Sequence, residues 1–258
     1  PMPTTWQLRG RELTLDHPVV MGIVNVTPDS FSDGGQFFSP GAALAQAAKL
    51  IAEGADILDV GGESTRPQSA EPVPPDEELR RVLPVIRTLA AERPEVILSV
   101  DTVKASVAEA AIAAGAHIVN DVSGLRLDPE MAAVCAATGV GVVVMHSRGE
   151  VSDMSTYRHA EYADFLNEML DELHGRVEAA ERGGVRRECI AVDPGIGFAK
   201  RAGQSLIALA CLERLVAWGY PVVVGVSRKR FIGQITGAHQ ASHRVYGSVG
   251  AAVAAYER

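Results

Sequence analysis

Five hydrogen-bonding side chains interrupt or close apolar runs: Asn25, Asp59, Asp101, Asn120 and Asp193. A buried amide has four hydrogen-bonding valences to satisfy, so Asn25 within Val19–Val26 is rarely there for packing alone. One aspartate at a strand end is commonly a helix N-cap or a turn residue. Three of them, with two asparagines at equivalent places, point to a shared site. Carboxylates and amides that converge on a pocket suit a ring with several N–H donors, such as a neutral aminopyrimidine-like heterocycle.

A second signal is cationic. Ser227-Arg228-Lys229-Arg230 sets three positive side chains in a row. As a solvated helix start the run works against the helix dipole, so an anion, phosphate above all, explains it better. Gly61-Gly62-Glu63-Ser64-Thr65-Arg66-Pro67 is flexible and adds one more arginine. Asp193-Pro194-Gly195-Ile196-Gly197-Phe198 is either a tight turn or a turn whose Phe198 walls a ring pocket. Met145 reads equally as core, and His117 and His146 as structural.

The elements that must carry these residues alternate. Trp6–Leu15 reads as a short hairpin within residues 1–17, capping the bottom of a barrel. Apolar strands are expected at Val19–Val26, Ala55–Val60, Val96–Val100, Ala116–Val119, Val140–Met145, Glu188–Val192 and Pro221–Val226. Helical periodicity spans Gly41–Glu53 (with Gly54 as C-cap), Asp76–Glu92, Lys104–Ala114, Asp128–Thr138, Ala160–Arg182, Ser205–Trp218 and Ala241–Glu257. Glu150–His159 reads as a polar, mobile connection. Continuous apolar strands alternating with helices indicate a parallel sheet. The polar signatures fall after strands, where a (β/α)8 barrel gathers its chemistry. A doubly wound open sheet also binds at strand C-termini, but at one crevice, and six strand ends here carry polar clusters.

The 258 residues match one such barrel, read as a single domain over 1–258. With 47% hydrophobic and 22% charged residues a large core is expected and disorder is not. A net charge of −8 argues against nucleic-acid and membrane-surface partners, though not against a small anionic substrate. Cys135, Cys189 and Cys211 are odd in number and widely spaced, as in a reduced cytoplasmic protein.

The motifs together are specific. Asn25-Val26-Thr27-Pro28-Asp29-Ser30-Phe31-Ser32-Asp33-Gly34-Gly35, Asp59-Val60-Gly61-Gly62-Glu63-Ser64-Thr65-Arg66-Pro67, Ser99-Val100-Asp101-Thr102, Val119-Asn120-Asp121, Asp193-Pro194-Gly195 and Ser227-Arg228-Lys229 follow the order seen in dihydropteroate synthases. The chain resembles that family from about Val19 onward. The resemblance implies a transferase on a TIM barrel that joins 6-hydroxymethyl-7,8-dihydropterin diphosphate to 4-aminobenzoate. It places Asp101, Asn120, Asp193 and Lys229 around the pterin, with Met145 and Phe198 lining the slot. It assigns Thr65, Arg66, Pro67, Phe31 and Ser227 to 4-aminobenzoate, Asp59 to a supporting role, and Asn25 to Mg²⁺ and diphosphate. Asp101, Lys229 and Asn25 are thereby the catalytic candidates. It further implies sulfonamide competition and a homodimer through late helices.

Two departures stand out. Arg201 and Gln204 replace the Thr and Asn usual after Asp-Pro-Gly. The Arg-Val-His-Asp of the family's eighth strand does not occur, so the natural chain is expected to continue past Arg258 by one strand and one helix, roughly 25–30 residues. The rival readings are a silent pterin-binding relative, a methyltetrahydrofolate-dependent methyltransferase, and a generic sugar-phosphate barrel enzyme. The last fails to explain Asn25, Asn120 and the acids together.

Overall fold

The structure, a computed structural model, describes residues 4–26, 40–65 and 72–258. Six strands form one all-parallel sheet in chain order: β3 (Met21–Asn25), β4 (Ile57–Gly61), β5 (Ile97–Asp101), β6 (Ile118–Asp121), β7 (Gly141–Met145) and β8 (Ile190–Asp193). Strand order never reverses, as the path of a barrel requires and a doubly wound sheet does not. The crossovers are α1 (Pro40–Ala52), α2 (Pro75–Glu92), α3 (Ala105–Ala114), α4 (Met131–Thr138) and α5 (Phe165–Arg182). Beyond β8 lie α6 (Ala202–Ala210), α7 (Leu212–Val216), α8 (Arg230–Thr236) and α9 (Val245–Tyr256).

Strand period sorts the core into layers. Leu58, Val60, Leu98, Val100, Val119, Val142, Val144 and Val192 point outward against the helices, in a cluster that includes Val82, Ile86, Ile112, Met169 and Leu173. The alternate residues Ile57, Ile118, Val143 and Ala191 fill the lower interior. An antiparallel hairpin of β1 (Thr5–Leu8) and β2 (Arg11–Thr14) closes that end, as the alternation in Trp6–Leu15 predicts. Trp6 and Leu8 are buried in the same lower cluster, and the Trp6 indole donates to the Cys189 carbonyl at 2.7 Å. Gly141 makes room for the plug: a Cβ there would stand 2.5 Å from the Leu8 side chain.

Four elements differ from the sequence reading. Pro221–Val226 continues the curve of the sheet, but with one bridge, Val192 to Val222, instead of a ladder. Pro221 has no N–H to contribute, and no strand lies beyond it among the described residues. On the opposite edge, Val20 and Ile23 are 55% and 53% exposed. The helix expected at Ala160 begins at Phe165, capped by the Asp164 side chain accepting from the Asn167 N–H. Ser205–Trp218 is two helices broken at Cys211. The helix α8 starts at Arg230, with Lys229 at its N-cap, inside the basic run that the sequence reading preferred as an anion site over a helix start.

The Glu150–His159 connection is not a loose polar strap. Met154 is completely buried with Val103, Val122 and Met145, and its carbonyl accepts the Ala199 N–H at 2.7 Å. The Ser155 hydroxyl donates to the Thr65 carbonyl, and Arg230 donates to the Ser155 carbonyl at 2.6 Å. Met154, with the partly buried Val151 beside it, roots the strap in that cluster.

Trp6 fills the end of the barrel away from the strand C-termini. Trp6→Ala is expected to lower unfolding free energy by about 3–5 kcal/mol, the range for a buried aromatic. Urea denaturation checks this; a loss under 1 kcal/mol would mean the hairpin is not part of the core.

Candidate active site

Sheet register builds the site. Asn25 pairs with Gly61, Gly61 with Asp101 and Asp101 with Asn120, so these four residues share one level across β3 to β6. Gly61 leaves its place in that level open; a Cβ there would meet the Asp101 carboxylate at 3.3 Å. One level deeper, Asp59 accepts from the Asn120 amide at 2.9 Å. Met145 and Asp193 are partners at the ends of β7 and β8. Asn25, Asp59, Asp101, Asn120, Met145 and Asp193 are therefore brought together at the C-terminal end of one sheet. Asn25 is exposed and Met145 buried.

Burial dominates the electrostatics of this end. It raises Asp59 and Asp193, and pushes Asp121 up to about 6. Asp101 is held well above the usual carboxylate range by burial first and then by the charges of Asp59, Glu78, Asp121 and Glu63. Buried Asp59 Oδ1, Glu78 Oε1 and Asp121 Oδ2 have no hydrogen-bond partner. Such a region is short of protons and cations, so it favours a ligand that brings N–H donors or positive charge.

The opposite wall comes from the loops after β8 and Val226. Asp193 accepts the Gly195 N–H at 2.6 Å. Gly195 has φ +66°, and a Cβ there would collide with the His146 carbonyl oxygen, so this turn requires glycine. Lys229 turns inward: its ammonium donates to the Ile196 carbonyl at 2.5 Å and sits 4.3 Å from the Phe198 ring centroid. Burial pushes its pKa down to about 8, against the pull of Asp193. The neighbouring cations turn away. Arg230 lies over Tyr157 at 4.8 Å, and Arg228 and Ser227 are exposed. Phe198 is half-buried in a cluster with Met145, Met154 and Val122.

Thr65 lines a narrow cavity with Asp101, Glu63, Glu78 and Val103. Phe31, Arg66 and Pro67 lie outside the described residues. Several residues that the sequence reading passed over support this region. Lys104 donates to Glu63 at 2.5 Å and to the fully buried Glu78. Glu63 also accepts the Val73 N–H at 2.7 Å, and Arg81 donates to the Gly62 carbonyl at 2.8 Å. Burial opposes the Lys104 ammonium, but the two carboxylates outweigh it and its pKa is raised. The signal available was Glu63 beside a lysine three residues after Asp101. Gln204, one of the departures, accepts the Arg201 N–H at 2.7 Å and caps α6, while its amide donates to the Ala160 carbonyl at 3.0 Å.

Among the described residues no group of three or more His, Cys, Asp or Glu could hold a metal ion. No helix among them is long and apolar enough to cross a membrane.

Residues 21–258 match the pterin binding enzyme family. A curated relative, the dihydropteroate synthase of Bacillus subtilis (strain 168), is 49% identical over 217 residues, covering 84% of this chain and 72% of its own. The Xanthomonas albilineans dihydropteroate synthase structure with 4-aminobenzoic acid superposes with a TM-score of 0.90 at 46% identity, over 98% of this chain and 89% of that one. The same protein in complex with 7,8-dihydropteroate gives a TM-score of 0.87 at 45% identity, over 98% and 89%.

The Lys229 environment has a direct test. NMR with lysine-selective labelling is expected to find Lys229 titrating near pH 8. Asp193→Asn removes a charge that favours the ammonium, so the midpoint should fall further. An ordinary lysine midpoint, or an upward move in the variant, would contradict the enclosed pairing.

Proposed function

We propose a division of labour for the site residues of this chain, which belongs to the pterin-binding enzyme family and, within it, to the dihydropteroate synthases. The chain is a transferase of folate biosynthesis: it condenses 6-hydroxymethyl-7,8-dihydropterin diphosphate with 4-aminobenzoate, giving 7,8-dihydropteroate and diphosphate. In our reading Asp101, Asn120, Asp193 and Lys229 hold the pterin between Met145 and Phe198, with Asp59 setting the Asn120 amide from below. Thr65 and Ser227, with Phe31, Arg66 and Pro67, receive 4-aminobenzoate. The observation that carries this reading is the shared level of Asn25, Gly61, Asp101 and Asn120, facing Asp193 and Lys229.

The chemistry follows from that placement. The bond between the pterin methylene carbon and the diphosphate oxygen breaks, and both electrons leave with diphosphate. The methylene cation is conjugated with the ring, and Asp101, raised by burial and then by crowded acids, is stabilised by the charge that develops there. The aromatic amine forms the new C–N bond with its lone pair and then releases a proton to solvent. A slot lined by Met145, Phe198 and Val122 keeps water from capturing the cation.

Magnesium is the cation this reading implies. Asn25 offers one exposed amide side chain at the end of β3, and among the described residues no group of acids there could hold a metal by itself. That suits a hard cation that keeps its waters and is carried on substrate phosphates. Asn25 would hold Mg²⁺, which when bound would neutralise charge on the departing diphosphate.

We read the chain as one pterin-binding barrel domain in the cytoplasm, supported by three free cysteines, two of them buried. The homodimer reading is supported by an apolar face on the late helices. Tyr246, Val249, Val253 and Tyr256 of α9 are exposed, and a groove of about 290 Å³ lies between α6, α8 and α9.

Asp101→Asn and Asp193→Ala are each expected to weaken pterin diphosphate binding at least tenfold without unfolding the chain; tenfold is about 1.4 kcal/mol. Isothermal calorimetry beside a thermal melt checks it. Unchanged affinity in both variants would displace the pocket. Lys229→Ala should cost more pterin affinity than Arg230→Ala, whose guanidinium serves the strap at Ser155 instead. Equal losses in the same titration would reduce the basic run to diffuse charge. Diphosphate release should require 4-aminobenzoate for sustained turnover, and release at the same rate without it would contradict a shielded cation.

A further inference from the structure

A buried polar chain lies behind the two walls of the slot. Lys200 is the largest side chain enclosed among the described residues, only 1% exposed. Its Nζ lies 2.7 Å from His146 Nδ1, and it donates to the Phe198 carbonyl at 3.0 Å and weakly to the His146 carbonyl at 3.5 Å. His146 is itself buried, and its Nε2 is 3.0 Å from Glu172 Oε2 on α5. Burial pushes the His146 pKa down to about 3, so the ring is neutral. A neutral imidazole has one donor and one acceptor. The network fixes which is which: Nδ1 accepts from Lys200, and Nε2–H donates to Glu172. Arg148 closes the chain, its Nε donating to both Glu172 oxygens at 3.1 Å.

The two carbonyls that Lys200 grips are well chosen. One belongs to Phe198. The other belongs to His146, the residue directly after Met145. Lys200 therefore ties the end of β7 to the loop after β8 at the residues that carry both walls. A methionine or leucine would fill the same space without the cost of burying an amine, a cost visible in a Lys200 pKa driven well below its ordinary value by burial. The polar tip must hold something that an apolar side chain cannot.

We propose that Lys200 is a positioning residue for the pterin. Acting through His146 and Glu172, it sets the gap between Met145 and Phe198 that receives the ring, and it does not touch the ring. The inference rests on the assignment of that slot to the pterin. It also accounts for a histidine that reads as structural, and for Glu172, an acid on the outer helix layer with no role in binding.

Calorimetric titration with 6-hydroxymethyl-7,8-dihydropterin diphosphate tests it in Lys200→Met, Glu172→Gln and Asp193→Ala, each beside a thermal melt and steady-state kinetics. Lys200→Met is expected to weaken pterin binding at least tenfold, with KM for 4-aminobenzoate changed less than threefold. Glu172→Gln should weaken pterin binding at least threefold, with the same indifference to 4-aminobenzoate. A lowered melting temperature with unchanged pterin affinity would show a merely structural lysine and overturn the proposal, provided Asp193→Ala still weakens binding. Unchanged affinity in Asp193→Ala overturns the slot assignment beneath it instead. If Lys200→Met does not fold, the partly solvent-exposed Glu172→Gln decides by the same criterion, and unchanged pterin affinity there overturns the proposal.

Discussion

Enclosing several carboxylates at one end of a parallel sheet is the constraint from which the rest of this structure follows. Asp59, Asp121 and Asp193 are each less than 10% exposed, and each obtains a hydrogen bond from its own surroundings: Asn120, Ser123 and the Gly195 N–H. These bonds cover part of the acceptor capacity only. A buried polar atom left unpaired costs about 1–3 kcal/mol. The fold carries that burden at the strand ends, where a donor-rich ring, if bound as proposed, would relieve it. Affinity is in this sense prepared by folding.

Three lysines set the charge balance, and each does so differently. Lys104 is shared between Glu63 and Glu78 and braces the start of the loop after β4. Lys229 faces Phe198 and Asp193 inside the slot. Lys200 is enclosed altogether and bonds to backbone and imidazole. The sheet supplies levels and the helices supply braces, so the positions of charges are inherited from register and packing more than from loop sequence.

Much of this was legible beforehand because strands announce themselves by composition. Ile190–Asp193 is apolar up to its last residue, so the aspartate that ends the run stands out as a candidate site residue. The parallel order and the hairpin plug could be read in the same way. What could not be read was anything decided by partners far along the chain. Met154 is one buried residue in a polar strap, and its rooting depends on Ala199, 45 positions away. Pro221–Val226 is as apolar as the other strands, yet pairs only through Val222, because a ladder needs neighbours as well as propensity. Lys200 looks like a surface cation until His146 is brought beside it. Asn25, Asp101 and Asn120 could be read together as parts of one site, but their common level is a property of register.

The Gly195 turn carries a consequence for how the slot can evolve. Its positive φ and the His146 carbonyl beside it exclude every side chain, alanine included. The obstacle is main chain, which cannot swing aside as a lysine tip can. An inhibitor shaped to this turn would rest on a surface that substitution of Gly195 itself cannot reshape. One that leans on the Phe198 ring or on Thr65 meets side chains that selection can exchange one at a time. Durability against resistance is thus distributed unevenly around one pocket, and the backbone wall is its least mutable part.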